Sequence, residues 1–360
     1  GDQIIFVDYA RTWGTNAIII DSNGLNFQGE TDAYTVDYDT SGQALNLVYS
    51  GATVGWTPSS DIVNALEPVA PTIQKAIFAF GDTGSYTNIK NLVGSNGVVA
   101  ADVTGVGTSR GFMAASTYGT DKAIFGFGTT GSLTGITNLV NNSGVVANDT
   151  SAVGTAKADL SATGYGTDLA IFAFGNTGSM SNSRNLVSNQ GVVASDATGA
   201  GTARQRMGAA RYGTGTAIFA FGENGGKTTN KNLVSNTGVI ASDTSGAGTA
   251  LTSHMAAQYG TGTAIFAFGQ NAAGSFVATS NLVNSSGVIA SDVSGVGSAN
   301  NFRASVNYGG DKAMFGYGQD GGGNTASVNL VNSSGVVQSN TSGVGTARRA
   351  LAGAGYSNSA

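Results

Sequence analysis

Short apolar runs separated by stretches of Gly, Ser, Thr and Asn recur along the chain, and one of them is written six times. Ala76-Ile77-Phe78-Ala79-Phe80-Gly81 returns from Ala123, Ala170, Ala217, Ala264 and Ala313, at steps of 47, 47, 47, 47 and 49 residues. A fixed period in this range marks a repeat architecture, whose units bury their apolar faces against one another. Alternation along an extended strand predicts Phe78 and Phe80 on one face and Ile77 and Ala79 on the other. Both faces are apolar, so each strand is expected to lie between two neighbouring sheets.

The rest of the unit follows one plan. A polar loop of variable sequence (82–89 in the first copy) leads to Asn91-Leu92-Val93 and Gly97-Val98-Val99, which read as the third and fourth strands of a hairpin. A turn such as Ser195-Asp196-Ala197-Thr198-Gly199 then runs through Gly201-Thr202-Ala203 into a strand ending in Tyr-Gly, at Tyr118, Tyr165, Tyr212, Tyr259 and Tyr308. Four strands in about 47 residues is the size of one propeller blade. The array begins with the second strand of a unit at Lys75 and ends with a first strand near Tyr356. Pairing 347–356 with 75–81 would leave no open edge, whereas an open solenoid needs polar caps. The expected fold is therefore all-β: a closed six-bladed β-propeller over 74–360.

Residues 1–57 lie outside the repeat. Strands are predicted at Ile4–Val7, Ala17–Ile20, Tyr34–Tyr38 and Ala44–Tyr49, broken by turn signals such as Ser22-Asn23-Gly24 and Thr40-Ser41-Gly42. A module this small buries little surface and is marginal alone. Trp13 and Trp56 could close a small core, and packing against copies of itself is the other route. All three prolines, Pro58, Pro68 and Pro71, fall in 58–73, which reads as a linker with a short helical turn at Asp61–Leu66.

Composition narrows the function classes. Charged residues make up 10% and the net charge is −5, so no basic stripe is available for nucleic acid. No apolar run approaches the roughly 20 residues of a membrane-spanning helix, and Gly1 reads as the start of a mature or trimmed chain. With no cysteine, disulfides and thiolate metal sites are excluded.

Two resemblances follow from these residues. The strand pair Ala-x-x-Tyr-Gly-x-x-Lys-Ala-Ile-Phe-Gly-Phe-Gly resembles kelch-type repeats, though one Gly at most follows the second aromatic where that family has a pair. The whole unit, with Asn-Leu-Val-x-x-x-Gly-Val-Val-Ala-x-Asp, is similar over about 285 residues to repeats in structural proteins of tailed bacteriophages, notably those of marine bacteria and cyanobacteria. Independently, Gly1-Asp2-x-Ile4-x-Phe6-x-Asp8, Trp13-x-Thr15-Asn16-x-Ile18-x-Ile20 and Leu47-Val48-Tyr49-Ser50-x-Ala52-Thr53-x-Gly55-Trp56 resemble small β modules of phage fibres. Such modules commonly trimerise. The resemblance implies a non-enzymatic virion protein, a tail fibre or appendage located on the particle surface. Its N-terminal module would attach it to other virion proteins as a homotrimer, and its propeller would be a spacer or a display head for a host-surface glycan or protein.

Candidate chemistry is sparse. Gly126-Phe127-Gly128-Thr129-Thr130-Gly131 and the run from Gly316 to Gly321 match a dinucleotide fingerprint, but no helix follows either, so no cofactor is expected. Asp102, Asp149, Asp196, Asp243 and Asp292, with Asn340 in the sixth copy, offer one carboxylate per turn. They read as Asx-turns rather than metal loops, and no metal is expected. The single histidine, His254, allows no imidazole-based triad elsewhere. Asp82, Glu223 and Asp320 follow the second strand in different units and are the residues a polysaccharide depolymerase or lyase would use. That enzyme and a bacterial surface lectin are the rival readings. The phenylalanines at 78, 125, 172, 219, 266 and 315 read as core. Tyr86, Phe112, Phe276 and Phe302 occur in single copies and are the candidate receptor contacts.

Overall fold

The computed structural model describes residues 1–30, 36–59, 74–151 and 153–357. The predicted helical turn at Asp61–Leu66, and Pro68, Pro71, Tyr34 and Thr35, lie outside them. All regular structure among the described residues is β, arranged in many small antiparallel sheets. The chain divides into two compact units, Gly1–Pro71 and Thr72–Ala360.

In the first unit β1 (Gln3–Val7), β4 (Ala44–Tyr49) and β5 (Trp56–Pro58) form one sheet, and β2 (Ile18–Ile20) pairs with β3 (Val36–Tyr38). Trp13, Phe27, Val36, Tyr38, Leu45 and Leu47 make the core, with Trp56 packed on it half-buried. Asp8 holds the turn beneath, its carboxylate accepting the N–H groups of Thr12, Trp13 and Gly42. Pro58 belongs to a strand rather than to a linker: β5 is the edge of its sheet, and there the missing N–H breaks no ladder.

The second unit holds six repeat sheets and one two-stranded ribbon, Gln319–Asp320 with Gly323–Asn324. Sheet 1 is Lys75–Asp82 and Tyr86–Val93 with the last strand of the chain, Ala352–Tyr356. Sheet 2 is Ala114–Tyr118, Lys122–Gly126 and Thr137–Val140. Sheet 3 is Ser161–Tyr165, Leu169–Ala173, Ser183–Val187 and Ala197–Thr198. Sheet 4 is Gly208–Tyr212, Thr216–Ala220, Asn230–Val234 and Thr244–Ser245. Sheet 5 is Met255–Tyr259, Thr263–Gln270 and Phe276–Val283, and sheet 6 is Ala304–Tyr308, Lys312–Gly316 and Val328–Val331. In sheet 1 the first and last strands of the array are partners, Ala354 lying opposite Ile77 and Tyr356 opposite Lys75. The Tyr-Gly strand leads each sheet, and each leading strand contacts those of two other sheets, in the order 1, 2, 3, 4, 5, 6 and again 1. Six apolar clusters lie between consecutive sheets, the sixth joining sheet 6 to sheet 1.

Two strand-level expectations are corrected. Phe80 does not share a face with Phe78. It sits at φ +64°, the ladder slips between Ala79 and Gly81, and its ring joins Ile77 and Ala79 against sheet 2. Phe127, Phe174, Phe221, Phe268 and Tyr317 do the same, with φ between +60° and +65°. A left-handed non-glycine residue costs roughly 1–2 kcal/mol. Burying a phenylalanine ring contributes roughly 1.5–3 kcal/mol, so the flip is favourable. The second correction concerns Gly97-Val98-Val99, which is not a strand. Gly97 turns at φ +81°, Val98 is exposed, and Val99 makes one bridge to Val93. The outermost pairing falls later, as single bridges such as Lys90 with Val103 or as two-residue strands such as Ala197–Thr198.

Candidate functional site

The slip in the second strand builds the same contact at every sheet boundary. The displaced aromatic of one sheet meets the first aromatic of the next: Phe80 with Phe125, Phe127 with Phe172, Phe174 with Phe219, Phe221 with Phe266, Phe268 with Phe315, and Tyr317 with Phe78, at centroid distances of 5.2–5.5 Å. A buried cation lies over the displaced ring in five of the six. Arg110, Lys157, Arg204, Arg303 and Arg348 stand 4.2–4.9 Å from the rings of Phe80, Phe127, Phe174, Phe268 and Tyr317. Each also donates to a fully buried asparagine oxygen, as Arg348 Nη2 does to Asn91 Oδ1 at 2.7 Å and Lys157 Nζ to Asn185 Oδ1 at 2.7 Å.

That asparagine passes the link on to the recurrent aspartate. Asn91 Nδ2 donates to Asp102 Oδ1 at 2.9 Å, and Asp102 Oδ2 accepts the Thr346 N–H at 2.8 Å and hydroxyl at 2.6 Å. The Asx-turn expectation is thus corrected: these carboxylates do not hold their own backbone but clip the segment that feeds the leading strand of the same sheet. Asp149 grips Thr108, Asp196 Thr155, Asp243 Thr202 and Asp292 Thr249 in the same way. In sheet 6 Asn340 accepts the Ser298 N–H and donates to its hydroxyl, keeping the clip without charge. Burial works against ionisation of the five aspartates, but the threonine hydroxyl, the asparagine amide, the threonine N–H and the nearby cation outweigh it and hold each below the usual range.

The exception is the boundary between sheets 4 and 5. Where sheets 1 to 4 have Arg348, Arg110, Lys157 and Arg204, sheet 5 has Leu251. His254 comes three residues later, where the others have Leu351, Met113, Leu160 and Met207. His254 is fully buried, its ring 4.6 Å from that of Phe221, and burial pushes its pKa down to about 4. Phe268 O can only accept, so Nδ1 carries the proton toward it. Nε2 and the Asn281 oxygen that a cation would have met are both left without partners. Sheet 6 repeats the exchange with Asn300 and Arg303.

These contacts account for most of the candidate catalytic groups. Asp82 pairs with Arg349 at 3.3 Å and Glu223 with Arg206 at 3.2 Å, while Asp320 caps the Gly322 N–H at 2.8 Å in a small turn. Among the described residues no group of three metal-ligating side chains occurs.

Two cavities lined by the six leading strands share part of their wall. A narrow girdle of Ala115, Ala162, Ala209, Ala256, Ser305 and Gly353 lines both. On one side is a space of about 100 Å³ rimmed by Phe112, Asp159, Arg206, Ser253, Phe302 and Ala350, all left-handed with φ between +48° and +57°. Their amides run head to tail: Ala350 donates to Phe302 O, Phe112 to Ala350 O, Asp159 to Phe112 O, Arg206 to Asp159 O and Ser253 to Arg206 O. Two of the four candidate contacts meet here, the rings of Phe112 and Phe302 lying edge to face at 5.6 Å. Arg206 lies over Phe302 and pairs with Asp159, whose pKa burial raises against the pull of that arginine. Tyr86 does not line this space; it starts a strand of sheet 1 opposite Asp82, with its ring against Gly111. Phe276 is not in this rim; it begins a strand of sheet 5 opposite Gln270.

The space beyond the girdle is about 440 Å³ and polar, with Thr117, Arg211, Gln258, Asn307 and Gln74 in its wall. None of these was a sequence candidate. The available signal was the residue before the repeated tyrosine, which reads Thr, Gly, Arg, Gln, Asn and Gly in the six copies.

No protein-family model matches the chain, and no curated protein matches it.

Proposed function

We propose that the six sheets form a closed, kelch-like six-bladed propeller carried by a virion structural protein, a phage fibre or tail appendage without enzymatic activity. Support for the ring comes from the last strand of the chain, which enters sheet 1 through the same threonine clip and arginine–aromatic contact used at other boundaries. Support for attachment comes from β1. It is an edge strand whose Ile5 and Val7 are 62% and 61% exposed, and Ile19 of the second sheet is likewise 63% exposed. An apolar exposed edge on a small module is a surface that copies of the chain cover. The N-terminal module would trimerise through it, and the propeller would serve as display head toward a host-surface glycan or protein.

The observation that carries the attachment role is that exposed strand. The native mass of the full chain at micromolar concentration is expected to be that of three copies, and that of the Ile5→Lys/Val7→Lys variant that of one. A monomeric wild type would refute it. Adsorption of the trimer, and not of buffer-matched albumin, to bacterial envelopes tests the display role.

A further inference from the structure

Within the leading strands the recurring positions are packing positions, whereas the residue before the repeated tyrosine changes from copy to copy. Thr117, Gly164, Arg211, Gln258, Asn307 and Gly355 occupy it, and all but Gly355 line the polar cavity of about 440 Å³. That volume is in the range of roughly 300–1,000 Å³ usual for small-molecule sites.

The two glycines make room for the polar groups. A Cβ on Gly164 would lie 2.9 Å from Arg211 Cδ, and one on Gly355 would lie 2.9 Å from both Asn307 Oδ1 and Gln74 Nε2. Arg211 Nη2 donates to Gly166 O at 2.6 Å and Nη1 to Thr167 O at 3.5 Å. A guanidinium has five N–H donors, so donors remain; among the described residues no carboxylate lies within ion-pair distance of it, although Asp168 is near enough to favour its charged form. The amides of Gln258 and Asn307 have no hydrogen-bond partner among the described residues, and Gln74 is held from its other side by the Gly310 N–H at 3.1 Å. One cation and three adaptable amides therefore face the same polar space.

We propose that this cavity binds a polyhydroxylated carboxylate of monosaccharide size, a sugar acid. The carboxylate meets Arg211 and the hydroxyls meet Gln258, Asn307 and Gln74. A forked guanidinium matches a carboxylate, and amides that both donate and accept match hydroxyl groups. The site rests on the ring of six sheets and not on the attachment role. A chain that binds sugar acid without trimerising would overturn only the latter, and a trimer that binds none only the former.

The test is titration of the full chain with glucuronate, followed by saturation-transfer NMR and calorimetry, with glucose and acetate as comparators. Glucuronate is expected to bind, and both comparators at least about tenfold more weakly, since each lacks half of the recognised groups. Arg211→Gln should weaken glucuronate by at least about tenfold and Gln258→Ala by a smaller factor, with unchanged melting curves. No glucuronate binding to folded wild type at about 10 mM, far above ordinary ligand affinities, would overturn the proposal. So would equal affinity for glucose, or unchanged affinity in folded Arg211→Gln. An oligoglucuronate arm assigns the source: tighter binding than the monomer points to the end of a polysaccharide, and equal or weaker binding to a free sugar acid.

Discussion

Acidification from pH 7 to pH 4 should loosen the boundary between sheets 4 and 5. His254 is buried there as the neutral imidazole, its Nδ1 proton on Phe268 O and Nε2 facing no partner. Burial holds its pKa at about 4 against 6.5 for an ordinary histidine, although Phe268 O and Asp292 draw it upward. Between those values the unfolded chain binds a proton that the folded chain refuses. Stability is therefore complete above about pH 6.5, falls on the way down, and levels off below pH 4. A gap of about 2.5 pH units at about 1.4 kcal/mol each amounts to about 3 kcal/mol, a large fraction of the stability of an ordinary domain. The five clip aspartates lose stability as well, from about pH 5 downward, because their pKa values are lowered in the folded chain; that loss is common to wild type and to a variant changed only at the sheet 4–5 boundary, so the comparison between the two isolates His254. Asp159 acts in the opposite sense: its pKa is raised by burial, so protonation favours the folded state. Any measured fall is thus net of that gain.

The other sheets provide the control. Leu251→Arg with His254→Leu copies the arrangement of Arg348 and Leu351 or Arg204 and Met207, and gives the Asn281 oxygen the donor it lacks. Denaturant unfolding should be followed by near-ultraviolet tyrosine dichroism, because Trp13 and Trp56 both report the N-terminal unit alone. Between pH 6.5 and 4 wild type should lose about 3 kcal/mol more than the double variant does. Equal slopes in the two proteins would refute the reasoning.

Two further outcomes are expected. Asp149→Asn should cost under about 1 kcal/mol, since Asn340 already serves as such a clip, whereas Asp149→Ala should cost about 1–3 kcal/mol by stranding Asn138 and Thr108; both are read from unfolding midpoints, and equal losses would show that the clip works by charge alone. A chain ending at Gly345 should lose the near-ultraviolet spectrum of the array and scatter light, because the strand of Ile77 and Phe78 keeps Leu92 and Asn91 on one side but loses its partner on the other and becomes an open edge; recovery on adding a peptide of residues 346–357 is expected, and a wild-type melting curve for the truncated chain would sink the ring.

The period, the strand pairs and the partnership of Ala354 with Ile77 were legible in the chain because each depends on residues that recur or on which strand type stands at each end. The Phe80 flip was not. Alternation presumes one continuous strand, and the only local hint of a break is the glycine after each second aromatic. The clips escaped for another reason: Asp149 looks like a turn residue to its neighbours, and its partner Thr108 stands 41 residues earlier. The cations hid behind an exchange. Arg110, Lys157, Arg204 and Arg348 keep one place in the repeat, but His254 and Arg303 sit three residues on, so a search at fixed spacing sees two gaps.

The same exchange explains where the array is least well tied. Sheet 6 moves the cation to Arg303 and sheet 5 replaces it with the neutral His254, which leaves its former place to Asn300 and Leu251, and buried atoms without partners then collect there: Thr252 Oγ1, Ser253 Oγ, His254 Nε2, Asn281 Oδ1 and both polar atoms of the Asn300 amide. The head-to-tail amide series around the narrow rim runs from Phe302 through Ala350, Phe112, Asp159 and Arg206 to Ser253, and its two ends belong to this region. Each unmet polar atom costs roughly 1–3 kcal/mol. The proposed ring would open at its poorest boundary, so any widening of the cavity between the leading strands should begin beside His254, away from the boundary that the tail of the chain completes.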